Sequence, residues 1–114
     1  MANSASSLDG VFHALADPTR RAVVARLGSG PATVKELGEP FGMALPSFMK
    51  HLAVLENCGL ITSRKVGRVR TCRIEPRSLA AAEAWIAEQR VIWEARTHRM
   101  VQYVEDLHAK EKDE

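Results

Sequence analysis

Thr33-Val34-Lys35-Glu36-Leu37-Gly38-Glu39-Pro40-Phe41-Gly42-Met43-Ala44-Leu45-Pro46-Ser47-Phe48-Met49-Lys50-His51-Leu52 is the stretch that decides the fold. It opens on a capping box: the Thr33 hydroxyl accepts from the Glu36 amide while the Glu36 carboxylate accepts from the Thr33 amide, so a helix starts here. Pro40 and Gly42 keep that helix short, and Phe41-Gly42-Met43 turns the chain into a further helix beginning near Leu45 or Pro46. At about 100° per residue, Leu45, Phe48, Met49, Leu52 and Leu55 cluster on one side of that second helix. Ser47, Lys50, His51, Val54 and Cys58 fall on the other. The spacing predicts one side that packs and one that reads a ligand.

Downstream, Gly59 closes the helix, Leu60 and Ile61 open a strand, Val66-Gly67-Arg68 turns, and Val69 to Ile74 return with β-branched residues between arginines. Arg64, Lys65, Arg68, Arg70, Arg73 and Arg77 face a single acid, Glu75, over this hairpin. Like charges on neighbouring strands repel, and phosphates that neutralise them also release counterions. A helix-turn-helix over 33–58 followed by an arginine-rich hairpin over 60–74 is the layout of a winged helix-turn-helix that grips duplex DNA. Ser47 and Lys50 sit near the start of the second helix, where side chains reach base edges or flanking phosphates. The plain alternative for both is a solvated helix face. Thr33, Lys35, Ser47, Lys50, His51, Arg64, Lys65, Arg68 and Arg70 are the expected DNA-contacting residues. His51 either touches DNA or braces the helix.

Charge distribution agrees. The net charge is only +2, but between Pro18 and Arg77 eleven basic residues outnumber four acids, so the positive field belongs to the middle of the chain. The 114 residues suit one domain over 1–114. Met1 to Ser7 is polar and is expected to be a disordered tail. It lacks the apolar core of a signal peptide, and no run reaches membrane-spanning length, so the protein is read as cytoplasmic and without a membrane partner. Cys58 and Cys72 form neither a disulfide framework nor a zinc module and are read as buried or half-buried thiols.

Before the capping box, Leu8, Val11, Phe12 and Leu15 make a short amphipathic helix. Asp17-Pro18 starts another, which Val23, Val24 and Leu27 carry to the stop at Gly28-Ser29-Gly30-Pro31. After the hairpin, residues 78–107 contain neither Gly nor Pro and are read as one long helix. Leu79, Ile86, Trp93, Met100 and Leu107 recur every seven residues, and Trp85, Ile92, Tyr103 and Val104 widen the seam. About thirty residues at roughly 1.5 Å each make a helix longer than a small domain can cover alone. A homodimer through Leu8, Phe12, Leu79, Ile86, Trp93, Met100, Val104 and Leu107 is therefore expected; the alternative is a helix folded back on its own domain. The fold class is mainly α with a small β-hairpin: four helices, two strands and a terminal helix.

Leu15-Ala16-Asp17-Pro18-Thr19-Arg20-Arg21, the segment Glu36 to Leu52, and Leu55-Glu56-Asn57-Cys58-Gly59-Leu60-Ile61 together resemble the ArsR/SmtB family of bacterial winged-helix repressors. The resemblance implies a dimeric repressor on an inverted repeat in double-stranded DNA near its own promoter, released when an inducer binds. Ala44 and Met49 stand where the family often has serine. The metal-sensing members' cysteine pair near the start of the second helix is absent. His98, His108 and Glu111 come closest to the family's terminal-helix ligands, but Arg96 stands where an acid is expected, and a nearby cation opposes metal binding; no metal and no cofactor are expected. The effector stays open among a small molecule, a metal, a redox signal through Cys58 or Cys72, and no ligand at all. His13, His51, His98 and His108 lie in no catalytic motif, so an enzyme is not expected. The competing reading is a winged-helix protein-interaction module that does not grip DNA.

Overall fold

The computed structural model describes residues 4–113, with side chains described over 8–112. Helix α1 spans Ser4–Leu15, α2 Pro18–Leu27, strand β1 Ala32–Thr33, α3 Val34–Gly38, α4 Leu45–Asn57, β2 Ile61–Val66, β3 Val69–Ile74 and α5 Pro76–Asp113. A 3-10 turn, Glu39–Phe41, lies between α3 and α4. By contact the chain divides at Ala82: one unit holds everything up to that residue, and the second begins at Glu83 and consists of the rest of α5.

The helix starts follow the capping signals. Asp17 accepts from the Arg20 amide at 3.0 Å with Pro18 in the first turn of α2, and Thr33 and Glu36 close the capping box of α3. Gly42, at φ 62°, takes the left-handed conformation that reverses the chain toward α4. At the far end of α4, Gly59 has φ 80°, its amide donates to the Glu56 carbonyl at 3.0 Å, and the Leu60 amide donates to the Leu55 carbonyl at 3.0 Å. That is a Schellman cap, and the apolar contact it calls for joins Leu55 and Leu60, both fully buried.

The first unit has one core. Val11 and Ala14 of α1, Val23 and Leu27 of α2, Leu37 of α3, and Phe48, Leu52 and Leu55 of α4 meet Ile61 and Cys72 of the sheet. Phe48, 1% exposed, is its largest member and stacks on Phe41 with ring centroids 5.7 Å apart. The thiols are as expected, Cys72 buried and Cys58 half-buried, both free. The first turns of α5 join this unit through Ser78, whose hydroxyl donates to the Gly59 carbonyl at 2.7 Å, and through buried Ala82.

Several expectations are corrected. The hairpin belongs to a three-stranded antiparallel sheet ordered β1-β3-β2, with Ala32 opposite Cys72 and Thr33 opposite Thr71. A two-residue strand has no period to read, so it escaped the pattern. Leu45 leaves the packing stripe and is 63% exposed. Val54 and Cys58, assigned to the outward side, are half-buried against the core. The terminal helix exceeds 78–107 at both ends: proline is tolerated in a first helical turn, and the Lys-rich end continues with basic residues that suit a helix C-terminus. Of the expected tail 1–7, residues 4–7 open α1, and residues 1–3 lie outside the described residues. None of the described residues after Ala82 is buried, so the second unit is helix without a core of its own.

Candidate nucleic-acid interface

The hairpin and the helix-turn-helix border a groove of about 650 Å³ whose walls include Thr33, Lys35, Lys65, Arg68 and Arg70. Five of the nine expected contact residues thus come together from four separate elements and a turn. Thr33 and Lys35 are placed by the capping box: the Thr33 Oγ1 accepts from the Glu36 amide at 3.1 Å, and Glu36 Oε1 accepts from the Thr33 amide at 3.0 Å. The Thr33 amide, and after it the Thr33 hydroxyl, hold the Glu36 carboxyl below its ordinary range. Lys65 and Arg70 stand directly opposite each other on β2 and β3, and Arg68 occupies the turn between them.

Two cations directly across a ladder destabilise it by themselves. Arg70 relieves part of that repulsion by turning inward. Its Nη1 donates to the Ser63 hydroxyl at 2.9 Å, and Ser63 in turn donates to Glu56 Oε1 on α4, also at 2.9 Å. The hairpin is thereby tied to the back half of the recognition helix. Beneath this bridge a smaller cavity of about 200 Å³ is lined by Leu52, Glu56, Ser63 and Cys72. Burial, with the Glu56 charge adding to it, pushes the Cys72 thiol up, so it stays protonated and weakly nucleophilic.

The other four expected contacts lie elsewhere. Ser47 and Lys50 are exposed on the first half of α4. Arg64 is exposed, alternates with Lys65 along β2 in register with Thr71, and does not line the groove. His51 turns toward α2: its Nδ1 lies 3.2 Å from Arg20 Nη1 and 3.7 Å from Asp17 Oδ2. This contact braces α4 against the start of α2.

Arg20 entered the sequence reading through the charge balance and the family-like segment, without a structural role of its own. Its Nε donates to the Ala14 carbonyl at 2.7 Å and its Nη2 to the His13 carbonyl at 3.2 Å, while Arg21 donates to the Leu15 carbonyl at 2.9 Å. Those carbonyls lie in the last turn of α1, where helical partners run out; the His13 carbonyl also accepts from the Ala16 amide at 3.2 Å. The signal that could have found this role is the spacing of Asp17 and Arg20, cap and first turn, directly after the end of a helix.

Of the expected dimer residues, Leu8 and Leu79 are half-buried against the core of their own chain. Phe12 is at the border of exposure, and Ile86, Trp93, Met100, Val104 and Leu107 are exposed along α5. Among the described residues, no three His, Cys, Asp or Glu side chains come close enough to share a metal ion, and His98, His108 and Glu111 are exposed along one helix.

The chain matches the helix-turn-helix domain family over residues 15–64. A crystal structure of an ArsR family transcriptional regulator is 61% identical, over 82% of this chain and 97% of that one, with a TM-score of 0.77. The HTH-type transcriptional regulator Rv2034 of Mycobacterium tuberculosis is 41% identical over 66% of this chain and 70% of that protein. The transcriptional repressor SdpR of Bacillus subtilis is 33% identical over 54% of this chain and 68% of its own length. With the winged helix-turn-helix in place and relatives named as regulators rather than enzymes, this chain belongs to the ArsR family of transcriptional regulators.

Proposed function

We propose that the protein is a repressor that binds an inverted-repeat operator in double-stranded DNA as a homodimer and works in the cytoplasm. Each copy lays α4 in a major groove, with Ser47 and Lys50 at the base edges and nearest phosphates, while Lys35, Lys65, Arg68 and Arg70 hold the backbone beside it. Arg64 meets phosphate only from the outer face of the hairpin. The observation that carries this reading is the groove itself, walled by four cations, two of them a like-charged cross-strand pair that phosphate would neutralise. The repressor sign is supported by the Bacillus subtilis relative. Pairing is supported by the heptad run of exposed apolar residues on α5, Ile86, Trp93, Met100 and Leu107, with Val104 beside it. Two-fold pairing places two recognition helices at half-sites spaced by about 10 base pairs or a multiple.

Gel shifts over a salt series test the reading. Phosphate-mediated binding falls linearly in log affinity against log salt, by about 0.9 for each phosphate neutralised. Lys65→Ala combined with Arg68→Ala is expected to weaken binding to every sequence and to flatten that slope by nearly two. A slope close to zero, with affinity unchanged in the double variant, would favour a protein partner and reject DNA.

A further inference from the structure

The N-cap and the first two residues of α4 offer no hydrogen-bonding side chain. Ala44 is the N-cap residue and makes no side-chain cap, Leu45 opens the helix, and Pro46 follows. Polar chemistry begins only at Ser47. Leu45 is 63% exposed and lies in the groove beside Val34, Met49 and Val69, so hydrocarbon lines the space between the cations. A lone exposed leucine needs no account. Hydrocarbon framed by Lys35, Lys65 and Arg68 asks for an occupant that is anionic at its edges and carries an apolar group between them.

We propose that Leu45 is a specificity-determining residue that reads the 5-methyl group of a thymine in the major groove of each half-site. Resting on the DNA-binding reading, the step follows from what a duplex displays. Its major-groove edges carry donors, acceptors and one hydrocarbon group, the thymine methyl. Residues at the start of a recognition helix are the ones that reach those edges. Ala44, Leu45 and Pro46 have no side-chain donor or acceptor to offer there. A purine O6, N6 or N7 pressed against them loses its water without replacement, which is unfavourable, whereas a thymine methyl pressed against Leu45 removes apolar surface from water on both partners.

The purified full-length chain is used to select sites from a duplex library randomised through its centre. The recovered site is then resynthesised with deoxyuridine in place of thymidine, one position at a time. Deoxyuridine keeps every hydrogen-bonding group of thymidine and lacks only the methyl. One symmetry-related position in each half-site is expected to lose about fourfold in affinity per methyl removed. Leu45→Ala is expected to bind the thymidine and deoxyuridine duplexes alike while keeping the wild-type salt slope, because no phosphate contact changes. Its circular dichroism should match the wild type, since Leu45 lies outside the core. If no deoxyuridine substitution weakens binding, or if Leu45→Ala still prefers the methyl, the proposal falls while DNA binding stands. If no site is recovered, DNA binding falls and takes this proposal with it.

Discussion

Arg20 Nη1 lies 3.2 Å from Nδ1 of His51, a contact across 31 residues that joins the start of α2 to the middle of the recognition helix. The same guanidinium closes the carbonyls of His13 and Ala14 at the end of α1. One side chain therefore links α1, α2 and α4.

Arg20→Ala strands the Ala14 carbonyl, leaves the His13 carbonyl with only the Ala16 amide, and frees the His51 ring. A cost on the order of 2 kcal/mol is expected, from the loss of hydrogen bonds to a charged group. Arg20→Lys should recover less than half of it, because an ammonium cannot reproduce the planar fork that reaches both carbonyls and the ring. Urea unfolding followed by circular dichroism measures both variants. A midpoint for Arg20→Ala equal to wild type would show that the three-helix junction stands without this residue.

Acid should weaken the same junction. The Arg20 amide holds the Asp17 carboxyl below its ordinary value against the opposing effect of burial, with the nearby charges of His51 and Arg20 adding less in the lowering direction. A carboxyl lowered in the folded state contributes stability that is present above its unfolded value, about 3.9 for aspartate, and is lost as pH falls through the lowered folded value. Glu36, lowered by the Thr33 amide and hydroxyl, acts with the same sign. Asp17→Asn keeps a capping side chain but no charge. Thermal melts between about pH 5 and pH 2 should therefore show a smaller decline in midpoint for Asp17→Asn than for wild type. Parallel declines would remove Asp17 from the account of acid sensitivity.

Local signals carried most of the fold. The capping box at Thr33, the Asp17-Pro18 start and the Gly59 stop are interactions between residues within a few positions of one another, so spacing alone exposes them. The hairpin was legible for the same reason. What spacing hid is what depends on partners distant in sequence. Leu45 has the phase of a core residue, but as the opening residue of α4 it lies in a groove with Lys65 and Val69 rather than under other helices. His51 has the phase of an outward reader and is turned by Arg20. Arg64 and Lys65 look equivalent as neighbours, yet a strand sends them to opposite faces. Arg70 read as a free cation, and only the folded hairpin brings Ser63 and Glu56 to it.

The Arg70–Ser63–Glu56 bridge is expected to position the hairpin on α4. Ser63→Ala removes the hydroxyl that connects the two partners and leaves every expected DNA-contacting residue in place. Affinity for a selected operator should drop by roughly three- to tenfold, equivalent to about 0.7 to 1.4 kcal/mol for a lost hydrogen-bond link, while the salt slope stays within error of wild type. Glu56→Gln should fall between the two, since an amide oxygen still accepts from Ser63 but carries no charge toward Arg70. A flattened slope in Ser63→Ala would mean that Arg70 had left its phosphate, making the bridge part of the contact rather than its support. Affinity equal to wild type would mean that the hairpin holds its position without the bridge.

The terminal helix gives the sharpest test of pairing. Trp93, 65% exposed, lies midway along the heptad seam, where a buried aromatic contributes most to an interface. Its exposure within one chain means that Trp93→Ala leaves the folded core untouched, so the circular dichroism of a single copy should not change. A hot-spot loss of about 2 kcal/mol or more raises the dimer dissociation constant roughly thirtyfold or beyond. Sedimentation velocity over a dilution series reads that shift directly: wild type should hold the dimer mass to lower concentration than the variant. Because half-site spacing requires both copies, operator affinity should fall with the dimer population. Wild-type chain that sediments as a single copy throughout the series, while still binding the full operator, would separate DNA recognition from the helix and reject the seam as its origin.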